Sequence, residues 1–240
     1  VAPRRPLHAV LAYPKRSPVT FGYVCMLLAT HAWVSYGLPA DRASSLLRHI
    51  STNLTNLTDH PVQALIGSTL FFDGTLTDVA SLEFPATFIT LGLGVCCFLA
   101  RAERRWGALR AFGVFLAGHI GATLLTAVVI ILALRQGWYD DSVRNTLDFG
   151  ISYGAQTVLA ACTAGLPRWA RLPWAAFVLA WPLGGVDWSE PLPDFTAIGH
   201  LLAAALGFAL LLARPETRWG RSGRTATAAA TEPVAGPRRS

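Results

Sequence analysis

The chain has 240 residues, of which 52% are hydrophobic and only 14% charged, with a mean hydropathy of +0.42. Soluble domains carry about 25% charged residues, so this composition argues against an ordinary soluble enzyme and for an integral membrane protein. The net charge of +6 does not signal nucleic acid, because the basic residues lie between apolar segments rather than on one motif.

Arg4, Arg5, Lys15 and Arg16 precede the first apolar run. They could form a signal-peptide n-region. The run that follows has about 20 residues and no A-x-A cleavage site, so a retained first span is expected. Lys15 is the only lysine, and the arginine-rich remainder points to a GC-rich, bacterial coding sequence.

Six apolar runs read as an all-α, polytopic bundle of six transmembrane helices: Pro18–Leu38, Pro85–Ala100, Leu109–Leu134, Phe149–Leu166, Leu172–Val186 and Phe195–Ala213. Residues 1–17 form a basic cytoplasmic segment, 18–213 the membrane domain and 214–240 a disordered basic cytoplasmic tail. With the N-terminus inside, the inner segments hold 16 basic and three acidic residues, and the outer segments only four basic and eleven acidic. Cytoplasmic retention of arginine therefore places both termini inside a cell's cytoplasmic membrane.

The first outer loop, about 39–84, is too long for a bare connector, and Ser44–Ile50 and Pro61–Phe72 read as short interfacial helices. Asn53-Leu-Thr and Asn56-Leu-Thr match a glycosylation sequon, a short pattern that often arises by chance. Cys25, Cys96, Cys97 and Cys162 all fall in apolar runs without CxxC spacing, so no disulfide, metal or other cofactor is expected.

Ser152 lies about three residues into the fourth span and His200 about five into the sixth. Both spans start at the outer face. At 1.5 Å per residue each side chain lies roughly 5–8 Å below the boundary. Gly150 and Gly154 form a small-residue stripe around the serine, and Gly199, Ala203 and Gly207 another around the histidine. Facing stripes would let the two backbones approach closely, and a neutral imidazole could then take the serine's proton. His31 and His119 lie at other depths and read as packing or interhelical hydrogen-bond groups. Asp148 reads as a cap at the start of the fourth span.

These residues resemble the rhomboid intramembrane serine proteases. Ala102-Glu-Arg-Arg-Trp-Gly107 is similar to the family's Glu-x-x-x-Gly connector, at Glu103 and Gly107. Gly150-Ile-Ser-Tyr resembles Gly-x-Ser-Gly and places Ser152 on the catalytic serine. Gly199-His200, with Ala203 and Gly207, resembles Ala-His-x-x-Gly-x-x-x-Gly and places His200 on the catalytic histidine. The resemblance implies a Ser-His dyad that cleaves transmembrane segments near the outer face.

The chain departs from the family at several places. Counting back from Glu103, the His-x-x-x-Asn pair that helps hold the oxyanion falls near Thr87 and Leu91, and no His or Asn occurs over 83–101. Tyr153 stands where the family has glycine after the nucleophile. Gln156 replaces the aromatic residue that packs on the histidine. Gln156, Tyr153 and Gly150 are the residues left to support an oxyanion. The first loop has no tryptophan and so lacks the family's Trp-Arg pair. Three functions follow in order: a divergent intramembrane serine protease; a non-catalytic relative that binds transmembrane clients in the same cleft; and a small-molecule transporter, disfavoured because no inverted repeat is visible. The lipid bilayer is the one obligatory partner, and oligomeric state is left open.

Overall fold

The structure is a computed structural model, and it describes residues 11–81, 83–186 and 191–212. The regular elements among the described residues are all helices, without strands. The basic segment before residue 11 and the tail after residue 212 lie outside them.

Helix α1 starts at Pro18, where a residue without an N–H leaves no orphan donor, and its last turn widens before ending at Gly37 (Pro18–Gly37). Three loop helices follow: α2 (Ala40–Ile50), α3 (Leu54–Asp59) and α4 (Pro61–Leu70). Both sequon asparagines build this loop. The Asn53 side chain accepts from Asn56 N at 2.8 Å and caps α3. Asn56 Nδ2 donates to the carbonyls of Arg48 and Ser51, satisfying the end of α2.

Helix α5 (Glu83–Trp106) contains wide i→i+5 turns over Phe88–Leu99 and closes at Gly107. Gly107 has φ +81°, a conformation that favours glycine, and starts α6 (Ala108–Gln136) without a linker. Helix α6 ends at a left-handed Gly137. Helices α7 (Ile151–Ala161), α8 (Arg168–Ala180) and α9 (Phe195–Leu212) complete the bundle.

Helix α7 is the centre. All of its residues but Ser152 are buried, and it packs on α9, α6 and the middle of α5. Glycines on those neighbours allow the approach. A Cβ on Gly94 of α5 would meet Ala155 at 2.6 Å, and one on Gly207 of α9 would meet the Thr157 carbonyl; one on Gly118 of α6 would collide with the Thr157 side chain. Thr157 Oγ1 also donates to Ala203 O at 2.8 Å, an interhelical bond where no water competes.

Among the described residues, three helices are long and apolar enough to cross a bilayer by themselves: Pro18–Gly37, Glu83–Trp106 and Ala108–Gln136. The expected fourth, fifth and sixth spans are shorter as helices among the described residues, the sixth being an apolar helix from Phe195. Helix α7 stops at Ala161, where a 3₁₀ turn over Thr163–Gly165 leads to Pro167. Helix α8 passes into another such turn at Trp181–Leu183. Helix α7 is wrapped by protein on every side but that of Ser152, whereas α8 buries only Val178.

The two expected loop helices form, as α2 and α4. Helix α4 buries Ala64, Ser68 and Thr69 against the bundle and leaves Val62 and Ile66 exposed. Tyr23 donates to Thr69 O at 2.7 Å and Thr30 to Leu70 O at 2.7 Å, tying α4 to α1. His119 has the interhelical role expected of it: its Nε2 donates to Leu65 O at 2.9 Å, joining α6 to α4.

Candidate functional site

A cavity of about 510 Å³ opens between the first half of α5, the loop after α4, and the starts of α7 and α9. Ser152 and His200 both line it. Ser152 faces it because the other sides of α7 are turned into neighbouring helices.

The two catalytic candidates share the cavity but are not hydrogen-bonded. Ser152 Oγ donates to the Phe149 carbonyl three residues back, at 3.3 Å. His200 Nδ1 lies 2.7 Å from Thr196 O. A carbonyl can only accept, so Nδ1 carries the proton and Nε2 keeps its lone pair. Nε2 is buried and has no hydrogen-bond partner among the described residues. The ring is held edge-on by Tyr153, at 5.1 Å between centroids, and by Trp181, at 4.9 Å. The aromatic support missing at position 156 is thus supplied by two other rings.

Gln156 is fully buried. Its Nε2 donates to Val178 O at 2.7 Å, and its Oε1 accepts from Trp181 Nε1 at 2.9 Å. Both polar ends are therefore spent on α8 and the turn that follows it. The side chain acts as a strut between α7 and Trp181.

The small-residue stripes do not face each other. A Cβ at Gly150 would strike the His119 ring and one at Gly154 would meet Phe115 at 2.8 Å, so the α7 stripe faces α6. The α9 stripe faces α7 along a different edge, against Tyr153, Thr157 and Ala160. Ser152 and His200 meet at the cavity rather than across paired glycines.

Asp148 does not cap α7. Gly150 is the N-cap, without a side-chain bond. The backbone of Asp148 is instead stitched to the loop: its carbonyl accepts from Thr52 N at 2.9 Å, and its N–H donates to Ser51 Oγ at 2.9 Å. Its side chain is buried, lines the cavity and faces Thr52 and Tyr153. Desolvation pushes the carboxyl up to about 7, against smaller opposing contributions from those neighbours. The Tyr153 hydroxyl lies near Asp148 and Thr126 without a hydrogen bond of ordinary geometry to either.

Thr87 and Leu91, the positions counted back from Glu103, line the cavity, as does Thr90 one turn from Thr87. Thr87 Oγ1 donates to Glu83 O at 3.0 Å. Thr90 belongs to no motif in the sequence; it reaches the cavity because it lies three residues after Thr87, on the same helix face. Asp73, Glu83 and Asp194 also line it. Among the described residues no cluster of three metal-ligating side chains occurs.

The connector motif has a clear structural role away from the cavity. The buried Glu103 carboxylate accepts from Val19 N at 3.1 Å, Thr20 N at 2.8 Å and Thr20 Oγ1 at 2.6 Å. It is thus the N-terminal cap of α1, satisfying two orphan N–H groups and opposing the helix dipole. Gly107 N donates to Glu103 O at 2.9 Å, which closes the turn behind it.

The family model for rhomboid-like proteins matches residues 12–219. The chain belongs to the rhomboid-like family. Neither the comparison with curated proteins nor that with solved structures gave a match. Membership makes this a membrane protein, and two departures from the rhomboid pattern can be read together. Tyr153 stands for a glycine and Gly199 for an alanine, and a Cβ at 199 would lie 2.4 Å from the Tyr153 ring. The larger residue on α7 occupies the space vacated on α9, so the two changes compensate.

Proposed function

We propose that this rhomboid-like protein is an intramembrane serine endopeptidase that uses Ser152 as nucleophile and His200 as base. One observation carries the reading. The only α7 residue that is not buried is a serine, and it shares a cavity with a histidine whose Nδ1–H is anchored and whose Nε2 is free. The Thr196 carbonyl plays the orienting part that an aspartate plays in a triad.

Ser152 must first rotate away from the Phe149 carbonyl, giving up a weak bond worth about 1 kcal/mol. Its Oγ then passes a proton to His200 Nε2 and attacks the substrate carbonyl. The imidazolium returns that proton to the leaving amine, and water hydrolyses the ester by the same route. Gly150 and Tyr153 contribute backbone N–H groups beside the nucleophile, and the Thr90 hydroxyl can add a donor from α5. The substrate is a transmembrane segment entering near the outer face of a cytoplasmic membrane. Six helices cross or fill the bilayer, and both termini lie on the cytoplasmic side.

A second reading is a non-catalytic protein that holds transmembrane clients in the same cavity. It is favoured by the Ser152–Phe149 bond and by the commitment of Gln156 to α8. Labelling of purified protein with a fluorophosphonate separates the two. Catalysis requires labelling that is abolished in Ser152→Ala and reduced in His200→Ala. Equal labelling of wild type and Ser152→Ala sinks the hydrolase and leaves the binder.

A further inference from the structure

The end of the bundle opposite the cavity carries a second concentration of polar chemistry. Three arginines converge on the turn after α7. Arg101 Nη2 donates to Gly165 O at 2.9 Å. Arg171 donates to Ala164 O at 2.9 Å and Leu166 O at 3.0 Å. Arg105 Nη1 lies 3.4 Å from the place a Cβ on Gly165 would occupy. Arg101 and Arg105 are four residues apart on α5, so their side chains share one helix face.

Among the described residues these charges have no acidic partner. The one ion pair among the described residues is Arg144–Asp141, in the loop after α6. The nearest carboxylate on α5, Glu103, is committed to Val19 and Thr20. Backbone carbonyls accept hydrogen bonds but carry only partial charge. Three cations around one turn repel one another unless an anion joins them, and guanidinium forks match phosphate oxygens in geometry.

The surroundings identify the anion. A small pocket of about 60 Å³ between Arg101 and Arg105 has an apolar wall that includes Trp106 and Leu211. On α8, Trp169 and Leu172 alternate with Arg168 and Arg171 and are 82% and 79% exposed. Exposed Trp and Leu interleaved with arginine suit the level where headgroup meets acyl chain.

We propose that Arg101, Arg105 and Arg171 bind the phosphate of one anionic phospholipid, with its chains lying along Trp169 and Leu172. Basic pockets between transmembrane helices suit such headgroups. A free phosphate would use the same charges but not the apolar flank.

The test uses the full chain in detergent micelles doped with either phosphatidylglycerol or phosphatidylcholine, with retained lipid counted by native mass spectrometry. Wild type should keep one phosphatidylglycerol in preference to phosphatidylcholine. Arg105→Gln should lower that retention about fivefold, the change expected for one basic residue at an anionic surface, and Arg101→Gln added to it about fivefold more. Among the described residues Arg105 makes no hydrogen bond that Gln would break, so the unfolding temperature in lipid-free detergent should not move. Arg48→Gln, on the loop helix α2, should leave retention unchanged. Equal retention of the two lipids by wild type, or unchanged retention in Arg105→Gln, overturns the proposal. Displacement of the lipid by millimolar inorganic phosphate would reassign the site to free phosphate and overturn the lipid assignment.

Discussion

Replacing Gln156 by leucine tests whether this residue braces the site or takes part in its chemistry. Leucine keeps the side-chain volume but removes the amide that donates to Val178 O and accepts from Trp181 Nε1. Each partner left unpaired costs about 1–3 kcal/mol. Trp181 lines the cavity and can recover some hydration, which favours the lower part of that range. A net loss of about 2–4 kcal/mol follows. At roughly 2–4 °C per kcal/mol for a chain of this size, the unfolding temperature should fall by about 4–16 °C. Trp181 also packs on His200, so freeing it should lower fluorophosphonate labelling only modestly. An oxyanion donor would behave oppositely, with a loss of about 10²–10³ in labelling rate and little change in stability. Unchanged unfolding with a hundredfold slower labelling would refute the bracing role.

Three further outcomes follow from the same geometry. Glu103→Ala strands two N–H groups of α1 and should destabilise by about 2–4 kcal/mol, with Glu103→Gln losing about half as much; wild-type thermal unfolding of the alanine variant would contradict the capping role. Gly199→Ala pushes a methyl into the Tyr153 ring and should cost about 1–3 kcal/mol. Tyr153→Ala should relieve that clash, so a double-mutant cycle should show a coupling above about 0.5 kcal/mol, and strict additivity would rule out the compensation. Asp148 keeps its proton to about pH 7 when folded, whereas the unfolded chain releases it near about 3.9. The unfolded state then binds fewer protons, so stability falls as pH rises from about 4 through 7. Asp148→Asn should therefore raise the unfolding temperature more at pH 8 than at pH 5, and an equal shift at both would contradict a buried carboxyl.

Much of this molecule is legible without coordinates, because the signals are local. Hydropathy and Pro or Gly punctuation locate α1, α5, α6 and α9, since a lipid-facing helix must be apolar along its own length. The Glu103–Gly107 connector is recognisable by its resemblance to the family motif, and its two roles, an acceptor and a positive φ, appear only in the fold. Ser152 and His200 stand out as polar residues at one depth in apolar runs. The lengths of α7 and α8 are less legible, because each helix passes into a 3₁₀ turn inside an apolar run that hydropathy reads as continuous.

What only the tertiary structure decides is direction. Ser152 and Gln156 lie one turn apart on α7, yet Ser152 meets a cavity while Gln156 meets Val178 and Trp181. Sequence periodicity defines a face but not its neighbour. The glycines of α7 could have faced any adjacent helix, and the bulk of His119 and Phe115 turns them towards α6. Asp148 sits where a cap belongs, but stitching of its backbone to Ser51 and Thr52 turns its carboxyl into the site. Composition and spacing alone point to a membrane bundle and single out a serine and a histidine in its apolar runs. Which groups remain free to act is set by packing, because a buried polar atom is committed to whichever partner lies within about 3 Å.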